Sequence, residues 1–203
     1  PSGCGKSTLT KLIAGLSIPY KGKIFISGTP VDSPRKSIGM AFQNPVLLEW
    51  RTTVDNICLP LEIVSPQMTR KQKIERATEL LEMVGLKDFS QSRPSQLSGG
   101  MKQRVSLCRS LVHRPEILIL DEPFGALDAF TREGLWKTLK DLKTSENFTC
   151  ILITHDLREA IYLSDEVVIL TDRPGKVKKS VKINFKRDSN STVSYTHLRA
   201  HET

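Results

Sequence analysis

Apolar residues recur along this chain with two alternating periods. Leu9, Leu12 and Ile13 fall at helical spacing up to Gly15 and predict a short amphipathic helix opening at Thr8. Ile24 and Ile26 share one face of a short strand over 23–27, between Gly22 and the turn Gly28-Thr29-Pro30, and Ser37–Phe42 reads as a second strand ending at Gln43. Ile74, Ala77, Leu80, Leu81 and Val84 mark a strong amphipathic helix closed by Gly85. Val105, Leu107, Leu111 and Val112 mark another, entered through Leu97-Ser98-Gly99-Gly100. The unbroken run Ile117-Leu118-Ile119-Leu120 is of the kind buried on both faces of a parallel sheet. Beyond it come a helix over 130–142 with Leu135, Leu139 and Leu142 on one stripe, a core strand over 150–154, a helix over 157–163 and a strand over 166–170. Arg173-Pro174-Gly175-Lys176 then turns into a basic strand pair. Only 46–57 is apolar without a clean period; with its exposed-looking Trp50 it fits either a partner surface or a loop packed on its own domain. Strands alternating with helices argue for an α/β sheet.

The candidate chemistry sits where these elements begin and end. Pro-Ser-Gly-Cys-Gly-Lys-Ser-Thr, residues 1–8, fits G-x-x-x-x-G-K-[ST] from the second position of that pattern. Gly3 and Gly5 let successive N–H groups turn inward on phosphate oxygens, Lys6 brings a mobile charge to the β- and γ-phosphates, and the Ser7 hydroxyl is placed to ligate Mg²⁺. Ser98, Gly99 and Gly100 open a helix with unobstructed N–H groups, a second phosphate site. Asp121 and Glu122 are delivered at the C-terminal end of the buried strand, where one carboxylate can hold Mg²⁺ and the other accept a proton from an attacking water. His155 stands at the corresponding end of the next core strand, where ligands of open α/β sheets bind.

Composition narrows the class. The 203 residues are 38% hydrophobic and 26% charged, an ordinary globular balance, and no apolar run reaches the ~18 residues of a membrane span. A net charge of +8 gathers at 70–73 and 176–187. With no aromatic platform interleaved, these read as solvated faces, and no nucleic-acid partner is expected. Cys4, Cys58, Cys108 and Cys150 form no C-x-x-C pair and read as reduced thiols. Residues 186–203 form a polar tail, and from 194 on it has neither period nor caps, so it reads as foreign to the domain.

Taken together, these residues resemble the ATP-binding subunit of an ABC transporter over about residues 1–185. Residues 1–8, with Ser2, Gly3, Cys4, Gly5, Lys6, Ser7 and Thr8 around the nucleotide, match the Walker A loop, and Gln43 matches the Q-loop. Leu97–Gln103 matches the signature, Ile117–Glu122 the Walker B strand, Ala126–Asp128 the D-loop and His155 the switch histidine. Trp50-Arg51-Thr52, Met101, 124–133 and 172–177 are similar to the branch that imports nitrate, taurine and alkanesulfonates. The resemblance implies a P-loop NTPase with a RecA-like core sheet, helices on both faces, over 1–43 and 115–185, and an α-helical signature subdomain over 44–114. It implies ATP and Mg²⁺ as ligands, with Ser7, Gln43 and Asp121 ordering the metal and Glu122, His155, Lys6 and Gln43 in the chemistry. It further implies a head-to-tail pair in which Ser98, Gly99, Gly100 and Asp128 of one subunit cover ATP held by the other. The expected partners are a transmembrane permease, contacted through the segment after Gln43, and indirectly a solute-binding protein, at the cytoplasmic face of a bacterial-type inner membrane.

The first glycine of the Walker pattern, the strand feeding the loop and the family's adenine-stacking aromatic would all precede Pro1. Such a strand is worth roughly 5 to 9 kcal/mol against a domain stability of ~5 to 15 kcal/mol, so the chain as written is expected to fold poorly and to hydrolyse ATP weakly. An ABC-type ATPase of DNA repair or translation, and an inactive remnant, are the alternative readings.

Overall fold

The computed structural model describes residues 3–125 and 127–184; Pro1, Ser2, Ala126 and the expected tail lie outside them. The central sheet consists of β3 (Ile38–Ala41), β4 (Ile117–Asp121) and β5 (Thr149–Ile153), all parallel, in the order β3-β4-β5. β4 is the middle strand, and Leu118, Ile119 and Leu120 are at most 1% exposed, as its unbroken aliphatic run requires. Two antiparallel pairs flank the sheet in sequence: β1 (Phe25–Ile26) with β2 (Thr29–Pro30), and β6 (Glu166–Leu170) with β7 (Val177–Lys182). β7 therefore pairs back onto β6 across the 173–176 turn, not onto a second basic strand as the charge pattern suggested.

The helices are α1 (Lys6–Ile13), α2 (Thr53–Val64), α3 (Arg70–Met83), α4 (Gly99–Leu111), α5 (Ala129–Glu146) and α6 (Leu157–Leu163). α1 opens two residues before Thr8 because Gly5, at φ 103°, closes the loop and hands directly into the first turn. Leu9, assigned by spacing to the apolar stripe, is 41% exposed; the buried position of this helix is Thr10, whose hydroxyl donates to Ser7 O at 2.8 Å. α3 ends in a Schellman arrangement: Gly85 takes φ 69°, its N–H donates to Glu82 O at 3.1 Å, and Leu86 N–H donates to Leu81 O at 2.7 Å.

α2 is the element that the sequence reading missed. Thr52 caps it, accepting from Asp55 N–H at 3.2 Å, and Val54, Ile57, Cys58 and Leu61 are buried along with Thr53 and Asn56. Asn56 explains the preceding loop. Its amide donates to the carbonyls of Leu48, Arg51 and Thr52 and its oxygen accepts from Leu48 N–H at 2.7 Å, so one buried side chain folds the aperiodic segment onto the helix that follows. A continuous core joins α2, α3 and α4 (Ile57, Leu80, Leu81, Val105, Leu111) to β4 and α5 (Leu118, Leu120, Leu135, Leu142). The signature helix α4 is thereby packed on both sides.

Candidate functional site

Gly3 at φ 72° and Gly5 at φ 103° curl the loop before α1 into a conformation that side-chain-bearing residues rarely adopt. The α1 amides have no side-chain cap, so N–H groups at the helix start face outward with Lys6, Ser7 and Thr8 around them. Ser7 and Thr8 are exposed, while Cys4 and Lys6 are half-buried.

At the C-terminal end of β4 the chain bends sharply. Glu122 takes φ 48°, its N–H donating to Ile153 O at 2.9 Å on β5. A left-handed glutamate costs ~1 to 2 kcal/mol, a strain tolerated where the surrounding structure fixes a functional side chain. The bend brings Glu122 Oε2 to 3.2 Å from His155 Nδ1, uniting two residues 33 positions apart. Gln43 reaches the same corner: a Cβ added to Gly125 would stand 3.3 Å from Gln43 Nε2 and 3.7 Å from Glu122 O. Asp121 Oδ1 is buried without a hydrogen-bond partner. A carboxylate oxygen left open beside a phosphate-binding loop fits a hard cation such as Mg²⁺, which takes one or two carboxylates and draws its remaining ligands from hydroxyls, water and phosphate. Among the described residues no cluster of three or more His, Cys, Asp or Glu is gathered for a metal.

The signature and the D-loop meet at the other end of the site. Ser98 caps α4, accepting from Met101 N–H at 3.3 Å. Asp128 caps α5, accepting from Thr131 N–H at 3.0 Å and from the Thr131 hydroxyl at 2.6 Å; the hydroxyl bond first, and the amide bond after it, hold the Asp128 carboxyl below its ordinary value. Thr131 also packs on Gly100, where an added Cβ would lie 2.5 Å from Thr131 Cγ2. Gln103 of α4 donates to Phe42 O at 3.5 Å, tying the signature helix to the residue before Gln43.

Sequence reasoning missed the residues that brace the turn in which His155 stands. Arg132 on α5 donates to Asp156 Oδ2 at 3.1 Å and to Leu127 O at 3.0 Å, and its Nε stands 3.9 Å from Glu159 Oε1. Thr154 donates to Glu159 and accepts from Asp156 N–H at 2.9 Å. Burial pushes the Glu159 carboxyl up, partly offset by the Thr154 bond. One arginine thus bridges the D-loop backbone and both acids flanking the histidine turn. The spacing Asp156-x-x-Glu159 at a helix start was the available signal; nothing local marks Arg132.

Comparison with known proteins agrees with this geometry. The ABC transporter family model matches residues 1–125. An uncharacterized ABC transporter ATP-binding protein of Methanocaldococcus jannaschii is 45% identical over 192 residues, covering 95% of this chain and 71% of that protein. The aliphatic sulfonates import ATP-binding protein of Bacillus subtilis is 46% identical, covering 95% and 74%, and the nitrate import ATP-binding protein of Synechococcus elongatus is 43% identical, covering 92% and 68%. A dimeric ATP-binding cassette in a post-hydrolysis state, bound to ADP and Pi, superposes with TM-score 0.78 at 32% identity, covering 91% of this chain and 83% of its own. This chain belongs to the ABC transporter family, as an ATP-binding subunit of P-loop NTPase fold.

Proposed function

We propose that the chain binds ATP in the Gly3–Thr8 loop and hydrolyses it to drive import of a small solute, an anion of the sulfonate or nitrate class. The 3.2 Å approach of Glu122 and His155 at the end of β4 carries this reading. Lys6 and the loop amides bind the β- and γ-phosphates; Glu122 accepts a proton from the attacking water at its carboxylate, a contribution of ~10² to 10⁴ in rate. His155, fixed through Asp156 and Arg132, contacts the γ-phosphate, and Gln43 joins it from the β3 side. Ser7, Asp121 and Gln43 would hold Mg²⁺, which when bound offsets phosphate charge and orients the γ-phosphoryl group. The dimeric cassettes among the structural relatives support a head-to-tail pair in which Ser98, Gly99, Gly100 and Asp128 cover the partner's ATP. The Thr131–Gly100 contact supports D-loop and signature moving together.

The permease contact is the groove of about 420 Å³ between the post-Gln43 segment, α2 and α3, lined by Trp50, Arg51, Asp55, Glu62, Arg70 and Lys73. It contains neither the 3–8 loop residues nor Asp121 and Glu122, and Trp50 is 74% exposed on its rim, which favours a docking role. No helix among the described residues is long and apolar enough to cross a membrane. The chain is proposed to work against the permease at the cytoplasmic face of a bacterial-type inner membrane. In this reading the chain divides into the ATPase core, 1–43 and 115–185, and the helical lobe, 44–114. The relatives' names do not favour a role in repair or translation.

Glu122→Gln tests the reading. Turnover is expected to fall by at least ~10² while ATP binding and ATP-dependent pairing persist; undiminished turnover would remove Glu122 as the base.

A further inference from the structure

The reaction above leaves one singled-out stretch unused, the Asp172–Val177 turn between β6 and β7. Thr171 N–H donates to Lys176 O at 2.9 Å and Lys176 N–H to Thr171 Oγ1 at 3.0 Å, so the turn is braced across its own base. Its outer side touches the phosphate loop at two points. Arg173 Nε donates to Gly3 O at 2.5 Å, with the guanidinium 3.5 to 3.8 Å from where a Cβ on Gly3 would lie. Gly175 approaches so closely that a Cβ on it would stand 2.3 Å from Cys4 O.

Both contacts are with carbonyls, and that decides what they do. In a planar trans peptide the C=O and the following N–H point in opposite directions. Gly3 O shares its peptide with Cys4 N–H, and Cys4 O shares the next with Gly5 N–H. Carbonyls turned outward onto the 173–175 turn therefore turn the Cys4 and Gly5 amides inward, toward the concave side of the loop. We propose that Arg173 and Gly175 are positioning residues for the phosphate loop: they engage the Gly3 and Cys4 carbonyls from outside and so aim the Cys4 and Gly5 N–H groups at the triphosphate. The proposal rests on the reading of this loop as the ATP site. It makes no use of the arginine's charge, only of its Nε–H.

Two replacements separate donor from charge. Arg173→Gln places an amide nitrogen at the Nε position without charge, whereas Arg173→Lys keeps the charge and places a methylene there. Measured in the assembled transporter, Arg173→Ala and Arg173→Lys are expected to raise the KM for ATP about 3- to 10-fold, the net size of one ordinary hydrogen bond, with kcat changed less than ~2-fold. Arg173→Gln is expected to stay near wild type. Gly175 has no left-handed φ, so Gly175→Ala tests the close approach and not backbone strain, and it is expected to raise KM likewise. Amide exchange of the 3–8 peptide in nucleotide-free protein should quicken in Arg173→Ala, Arg173→Lys and Gly175→Ala but not in Arg173→Gln. Unchanged exchange in all variants, or a lysine variant like wild type beside a glutamine variant like alanine, overturns the proposal. Failure of the ATP reading shows differently, as wild-type protein with no ATP binding sensitive to Lys6→Ala, and the exchange rates still decide whether the turn holds the loop.

Discussion

Arg76 and Glu146 are 9% and 11% exposed at their side chains and lie 70 residues apart in sequence, yet they form a two-pronged ion pair. Arg76 Nε also donates to Val112 O at 3.3 Å, so this arginine on α3 ties the C-terminus of the signature helix to the C-terminus of α5. Desolvating both charges cancels much of their attraction, so the pair adds little net stability while intact, but a lone buried charge is expensive. Glu146→Ala leaves Arg76 with only the exposed Glu79, at 3.4 Å, as counter-ion. It is therefore expected to destabilise the fold by ~3 kcal/mol in urea unfolding, the low end for a broken buried pair, whereas Arg76→Met with Glu146→Leu should be close to neutral. Equal losses in the single and double variants would contradict the argument. Pairs of this kind have no signature in sequence: Arg76 sits in a helix whose other charges are solvated, and Arg132 and Arg173 reach partners that no periodicity connects to them. The motif residues differ. Lys6, Ser98, Asp121 and His155 stand out in the sequence because the phosphate and metal chemistry proposed for them would demand particular residue types at the ends of elements, which spacing reveals.

Legibility among the elements followed from how each one is buried. α3 and α5 each turn one stripe inward, α4 keeps Val105, Leu107 and Leu111 buried although it is packed on both sides, and β4 is enclosed on both faces, so their patterns could be read directly. α2 hides because its buried set includes Thr53 and Asn56 and it carries Pro60 within it, which blurs any stripe. The Thr52-x-x-Asp55 spacing was the usable signal for its start, and the Thr52 hydroxyl indeed donates to Asp55 Oδ2 at 2.6 Å. The close of α3 shows the opposite case, where one glycine predicts an ending. Gly85 has open space around its Cα, so the only obstacle to a side chain there is its φ of 69°. Gly85→Ala should therefore cost ~1 to 2 kcal/mol of unfolding free energy without displacing a neighbour, and a neutral result would mean that the Schellman turn can relax.

At the scale of the whole molecule, two features bear on stability. Burial pushes His113 below its ordinary value, so the folded protein favours it neutral while the unfolded chain takes up a proton below about pH 6.5. Its contribution is then complete above about pH 6.5 and shrinks as pH falls toward the folded value; His113→Gln should flatten the loss of urea midpoint between pH 7.5 and 5.5. Glu159 acts in the reverse sense, its raised carboxyl penalising the fold at high pH, which is why the comparison is made against the variant. The second feature is the sheet. Among the described residues β5 pairs only with β4, and β6 only with β7, leaving Val168 and Ile169 54% and 39% exposed. The turn after β6 touches Gly3 through Arg173. A polypeptide extended ahead of Pro1 by an apolar strand of ~5 to 6 residues should supply a ladder to an unpaired edge of β5 or β6. The expected results are a higher urea midpoint and slower amide exchange in 149–153 and 166–170, with exchange in α2 and α3 nearly unchanged because that lobe is already closed over its own core. Faster or unaltered exchange in β5 and β6 would mean that neither edge takes up the added strand.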